Sequence, residues 1–213
     1  MVKYKYILIA IILGITGTIN SQNLKDMSES DRDQYSRTSK WVSDLNIMDS
    51  SKTEKVRTLI FEQLKTIRDY HNSHSYTIVP EGINPKTGDK LSDLDRRIIA
   101  HSAQPADIHE NFISSLRKEL TEEQVVKILD YHTVGKVDFT MKAYKEIVPD
   151  LSTGEIKHVR GLLEEARERA IDFKNMEEIS AIFEIYKTKA EAYLNSNGRD
   201  WRQLYKDYVN KNN

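Results

Sequence analysis

The chain of 213 residues contains no cysteine. That one absence excludes disulfides, thiolate metal sites, cysteine nucleophiles and a lipidated N-terminal cysteine. No run of like charge dominates, and the formal net charge is -1, which speaks against nucleic acid as a partner. A phosphate-binding glycine loop, HExxH, GxSxG and a calcium-loop pattern are all missing. No segment alternates apolar and polar residues strongly enough for a strand, and no internal repeat is visible. Lysine, arginine, histidine, tyrosine and carboxylates are left to carry any chemistry.

What is present begins with an N-terminus laid out as a signal peptide over residues 1–21. Lys3 and Lys5 form a positive start, Tyr6 to Ile19 is almost unbroken apolar sequence, and Ser21 is a small residue at a plausible cleavage edge. The apolar run is about two-thirds of the roughly 20 residues a spanning helix needs. The expectation is therefore a cleaved leader, no stable membrane anchor, and a periplasmic or secreted protein. Taking Lys3 and Lys5 away from -1 leaves a net charge of -3. A chain of roughly 190 residues buries enough surface to do without disulfides.

Residues 22–213 read as one all-helical domain, a multi-helix bundle. Ser30 with Asp33 predicts a capping box before a helix carrying Tyr35, Trp41, Val42 and Leu45, with Asn46 ending it. Ser50 or Ser51 opens a second helix with Val56, Leu59, Ile60, Leu64, Ile67 and Tyr70 at three- and four-residue steps. His71 and His74 continue that face. Pro80, Gly82, Pro85 and Gly88 punctuate a long loop over about 75–91, either a lid or binding edge or a tolerated surface insertion. Ser92 restarts helix. Thr121 with Gln124 is a capping box, Gly135 stops the helix it opens, and a short helix spans about 140–148. Ser152 with Glu155 and Asn175 with Glu178 cap two longer helices, with seams Ile156–Val159–Leu163–Ala166–Ala170 and Ile179–Phe183–Tyr186–Ala190–Tyr193. Gly198 terminates the second, and Asp200 caps a last helix with Trp201, Leu204, Tyr205 and Tyr208. Eleven tyrosines suit helix seams more than sugar contacts, although the ring and hydroxyl serve both.

His71 and His74, one turn apart, can hold a metal or flank a substrate, but bare HxxH spacing fits a pair of hydrogen-bonded, partly buried histidines better. His132 lies on an apolar face just before a glycine stop, a position usual for a satisfied core-edge histidine. Arg167 follows Leu163 by four residues and flanks the seam. Its guanidinium can reach a cleft between helices and grip a carboxylate, or pair along its own helix with Glu164 or Glu168, which spacing alone favours. Lys187 and Lys189 flank the seam of the next helix and read as a solvated face.

The stretches RTSKWVSDLNIMDSSKTEKVRTLI, IRDYH, LTEEQVVKILD and the run on to Gly198 and Asp200 resemble a family of small secreted helical proteins. Formally this is a domain of unknown function, encoded in polysaccharide-utilisation gene clusters of Gram-negative bacteria. Matching positions include Arg57, His71, Asp130, Thr133, Tyr144, Arg167, Asp172, Tyr186, Lys187 and Gly198. The chain departs from the pattern at His132, where methionine is commoner, at Lys189, where arginine is, and at Arg199, which replaces an aromatic.

The branch most similar to this chain acts on ulvan, a sulfated, uronic-acid-rich polymer. The resemblance implies an oligosaccharide dehydratase that removes water from a non-reducing-end uronic acid and leaves a 4,5-unsaturated sugar. Its partner would be an acidic oligosaccharide, no cofactor is implied and no metal ligand is assigned, although a metal could replace the cationic clamp. Taking the carbon-5 proton builds dianionic charge, which a cation must offset. Arg167 and Lys187 are the expected cations, His132 or His71 the base, and Tyr144 the acid. His74, Asp130, Thr133, Tyr186 and Lys189 would bind substrate. The alternative is a non-catalytic periplasmic carbohydrate-binding or chaperone-like helical protein, and a polymer-cleaving lyase is a third reading.

Overall fold

The computed structural model describes residues 26–85 and 87–212. The expected leader lies outside them. Among the described residues nine α-helices follow one another: α1 Glu29–Ser43, α2 Ser50–Ser73, α3 Asp93–Ser102, α4 Ala106–Glu119, α5 Glu122–Thr133, α6 Lys136–Ile147, α7 Thr153–Ala170, α8 Met176–Ser196 and α9 Trp201–Asn212. The class is all-α, and no described residue belongs to a strand. No helix among the described residues is long and apolar enough to cross a membrane.

Side-chain caps set most of the helix starts. Thr121 and Gln124 exchange bonds at the head of α5, and Ser152 and Glu155 do so at α7, each satisfying amide groups that the first turn leaves free. Two starts differ from the sequence expectation. The cap of α1 is Ser28, whose hydroxyl accepts from the Asp31 amide, so Ser30 and Asp33 are already helical. The cap of α2 is Asp49, one residue before Ser50, because its carboxylate accepts from two amides, those of Ser51 and Lys52.

Two apolar cores form. Val42 on α1, Val56 and Ile60 on α2, Phe112 and Leu116 on α4, and Val125 and Ile128 on α5 pack into the first. The second gathers Met141 and Tyr144 on α6, Leu163 and Ala166 on α7, and Phe183, Ala190 and Leu194 on α8. The antiparallel α7–α8 pair is the most extensive helix contact. Small residues on the seam (Ala166, Ala170 and Ala190, all fully buried) let the two helices lie close. One short turn, Ile171 to Asn175, joins the cores, since Ile171 belongs to the first and Phe173 to the second.

The 75–91 segment is more ordered than a plain loop. Tyr76–Ile78 makes a 3-10 turn, and Ile83 pairs antiparallel with Lys90 around Gly88, whose φ of 77° needs a residue without a Cβ. The Arg96 guanidinium on α3 donates to the Val79 carbonyl at 2.8 and 3.1 Å and pins the segment there.

Candidate functional site

The turn between α7 and α8 organises the centre of the molecule. Asn175 caps α8, its side-chain oxygen accepting from the Glu178 amide at 3.0 Å. The Asp172 carboxylate accepts from His109 Nδ1 on α4, 3.0 Å to each oxygen. The Phe173 carbonyl lies 3.0 Å from His132 Nε2, so that nitrogen carries the proton and donates. Lys174 Nζ donates to Asn72 Oδ1 on α2 at 2.6 Å.

Two cavities adjoin this turn. The larger, about 850 Å³, opens between α5, α6 and α7. The smaller, about 290 Å³, lies between α3, α4 and α8 and takes in His101, Gln104 and Asp172. His109, Glu110, Arg169 and Tyr186 line both. The walls of the larger cavity carry seven carboxylates against three guanidiniums. Two of those guanidiniums are held: Arg160 by Asp138 at 2.8 Å and Arg167 by Asp130 at 2.9 Å. Among the described residues no hydrogen bond or ion pair engages the Arg169 guanidinium, and the residue is exposed where the cavities meet. A free guanidinium there can take a carboxylate with two parallel bonds.

His109 has the features of a proton-transfer group. Because Nδ1 donates to Asp172, its Nε2 is the free nitrogen, 3.7 Å from the Glu168 carboxylate. The bond to Asp172 raises its pKa above the ordinary 6.5, against partial burial, which lowers it. A carboxylate that fixes the tautomer and makes the ring more basic is the orienting half of an acid–base dyad.

The structure brings together only part of the set expected from sequence. Asp130, Arg167 and Tyr186 line the larger cavity, and Lys189 lies over the Tyr186 ring, 4.1 Å from its centroid. Arg167 points across to α5, not along its own helix to Glu164 or Glu168. The other expected residues lie elsewhere. His132 is held under Trp41 by its bond to Phe173, and burial lowers its pKa. Tyr144 is buried in the second core and donates to the Lys187 carbonyl, and burial raises its pKa, so it holds its proton. Lys187 Nζ pairs with Glu184 on its own helix. The Thr133 hydroxyl bonds back to the Leu129 carbonyl. The His71–His74 pair does not act as a unit. His74 stacks on Tyr70 and donates to the Tyr70 carbonyl at the end of α2, whereas His71 is buried against His101. Neither adjoining cavity is lined by His71, His74, His132, Thr133, Tyr144, Lys187 or any described residue of the 75–91 segment.

Sequence reasoning passes over His109 and His101, and it notes Arg169 on the helix of Arg167 without giving it a role. None sits in a recognisable spacing, and their partners are distant: His109 and Asp172 are 63 positions apart. Asp172 was visible as a matching position but had no role, because nothing in a linear pattern pairs it with a histidine on α4. Glu178 was read as the returning half of a capping box. Its amide does bond Asn175, but its carboxylate turns inward and is fully buried.

Residues 32–213 match the family described as Protein of unknown function (DUF3826). The chain belongs to the DUF3826 family. No curated protein matches it. The DUF3826 match runs from α1 to the last residue, so both cores, the joining turn and the two cavities fall inside it.

Proposed function

We propose that the protein is a carbon–oxygen lyase that removes water from the non-reducing-end uronic acid of ulvan-type oligosaccharides. The reaction is assigned to the junction of the two cavities, not to the set of side chains expected from sequence. The observation that carries this reading is the convergence there of an unpaired guanidinium, Arg169, a carboxylate-oriented imidazole, His109, and a phenol, Tyr186.

Arg169 bonds the uronate carboxylate and offsets the charge that grows on it as carbon 5 loses its proton. His109 Nε2, unprotonated and oriented by Asp172, takes that proton. The electrons of the carbon–hydrogen bond form the carbon 4–carbon 5 double bond as the bond from carbon 4 to its hydroxyl breaks. The Tyr186 phenol gives its proton to the departing hydroxyl, which leaves as water, and the proton held by His109 returns through solvent to the phenolate. The acidic walls of the larger cavity accept hydrogen bonds from neutral sugar hydroxyls. The charged lining also weighs against a chaperone-like role, which needs an exposed concave apolar face.

The test is incubation with saturated uronate-ended ulvan oligosaccharides, following the ultraviolet absorbance of the unsaturated product. The wild type should generate it, and His109→Asn should slow turnover by about 100- to 10,000-fold, the usual range for a lost proton-transfer group. Substrate binding without any unsaturated product from the wild type would leave a carbohydrate-binding module instead.

A further inference from the structure

We propose that His71, His101 and Glu178 bind one divalent transition-metal ion, zinc before the others, beside the smaller cavity. The three side chains come from α2, α3 and α8, and all are buried, with 3 %, 4 % and 0 % of their surface exposed. The two imidazoles lie parallel, 3.7 Å between centroids and 7° between planes. Both present Nδ1 to the same carboxylate oxygen: Glu178 Oε2 is 3.2 Å from His101 and 3.6 Å from His71.

A hydrogen bond joins His101 Nδ1 to Glu178 Oε2 at 3.2 Å, but it leaves the rest of this arrangement unexplained. At 3.6 Å the His71 contact is too long for a hydrogen bond. Neither ring nitrogen of His71 makes a well-formed hydrogen bond, although the Asp172 backbone lies close enough to attract its proton, and Glu178 Oε1 has no partner; all three atoms are buried. A buried carboxylate without a compensating charge is strongly disfavoured.

A cation would pair the buried Glu178 carboxylate, and holding both histidines requires one imidazole to turn out of the stack on binding, because two ring nitrogens bonded at about 2.0 Å to one tetrahedral ion keep their centroids about 5 Å apart, against 3.7 Å here. Two imidazoles and one carboxylate are a known three-ligand zinc set, and bonds of about 2.0–2.2 Å place tetrahedral ligand atoms about 3.3–3.6 Å apart. The two nitrogen–oxygen separations, 3.2 and 3.6 Å, lie close to that range, and the ligand atoms of all three residues lie within 4.8 Å of one another. Such a set leaves one coordination position for water or a ligand oxygen. His101 forms part of the wall of the smaller cavity. Gln104 lines the same cavity, with both amide atoms buried and unpartnered. Nitrogen and oxygen donors together select zinc and its neighbours over magnesium or calcium. This site stands apart from the proposed dehydration, and its test reads binding, not turnover.

The purified protein is stripped with a chelator, dialysed, and titrated with zinc chloride by calorimetry, with elemental analysis of the loaded protein. The expected result is one saturable equivalent at micromolar affinity or tighter and a rise in melting temperature. Glu178→Gln keeps the side-chain shape and should weaken that affinity at least 100-fold, and His101→Ala should abolish it, with circular dichroism confirming that each variant is folded. Cobalt should give the visible absorption of a tetrahedral site in the wild type and lose it in Glu178→Gln. The proposal is overturned if the folded wild type takes up no stoichiometric zinc. It is equally overturned if the equivalent survives in folded Glu178→Gln and disappears in His109→Asn, which would move the metal to the other cavity wall.

Discussion

Arg199, at the turn after α8, donates to both oxygens of Glu155 at 2.9 Å and to Asp150 at 2.7 Å. A position that departs from the family pattern in sequence is thereby tied to the first turn of α7. Those bonds, aided by the Ser152 amide, hold the Glu155 carboxyl down at about 2 instead of 4.5. The folded value is the lower one, so this carboxylate contributes its stability fully above about pH 4.5 and loses it as the pH falls toward 2. Urea unfolding at pH 7 and pH 3 should show Arg199→Ala about 1 kcal/mol less stable at the higher pH and closer to the wild type at the lower one. For the Asp172–His109 pair the sign is opposite. A base whose pKa is raised works only above that value, so the acid limb of turnover should lie above pH 6.5. Asp172→Asn should move that limb to lower pH and reduce kcat. A pH–rate profile reads both, and an unmoved limb would assign the titration to another group.

Among the helices, the end of α5 departs most from what its residues predict. Gly135 was the expected stop and does take a left-handed φ of 63°, but Val134 before it already has φ 54°. A β-branched residue in that region is strained by roughly 1–2 kcal/mol. The strain is held by amide bonds from Gly135 to the Asp130 carbonyl and from Val134 to that of Tyr131, in the turn that presents Asp130 to Arg167. Val134 is 68 % exposed, so its side chain contributes little packing. Val134→Gly should raise stability by about 1 kcal/mol, measured as a higher urea midpoint with an unchanged slope. The caps at Thr121, Ser152, Asn175 and Asp200 were readable from sequence because a cap is a bond between residues three apart. The capping of α1 and α2 was misplaced by one or two residues because serines and aspartates crowd both starts, and only the amide geometry chooses between them.

Across the whole molecule, two cores share one five-residue turn. Each core contains one of the two tryptophans, Trp41 in the first and Trp201 packed against the second. If Ile171 and Phe173 couple the cores as their burial indicates, Trp41→Phe and Trp201→Phe proteins, each reporting on the remaining tryptophan, should unfold at midpoints shifted only by the substitution itself. Each should also agree with circular dichroism, and two separated transitions would show the cores to be independent. The sequence by itself determined the helical class, most helix positions, the α7–α8 seam and Arg167 as a seam-flanking cation. These depend on three- and four-residue periodicity and on local caps, which a linear pattern records directly. Tertiary structure alone decided that His71 and Tyr144, both buried, and the half-buried His132 lie apart from the cavities, that His109 meets Asp172, and that Glu178 turns from a helix cap to face two histidines. Those contacts join residues 41 to 107 positions apart, and the forces that form them are burial and charge compensation between helices, which have no fixed spacing along the chain.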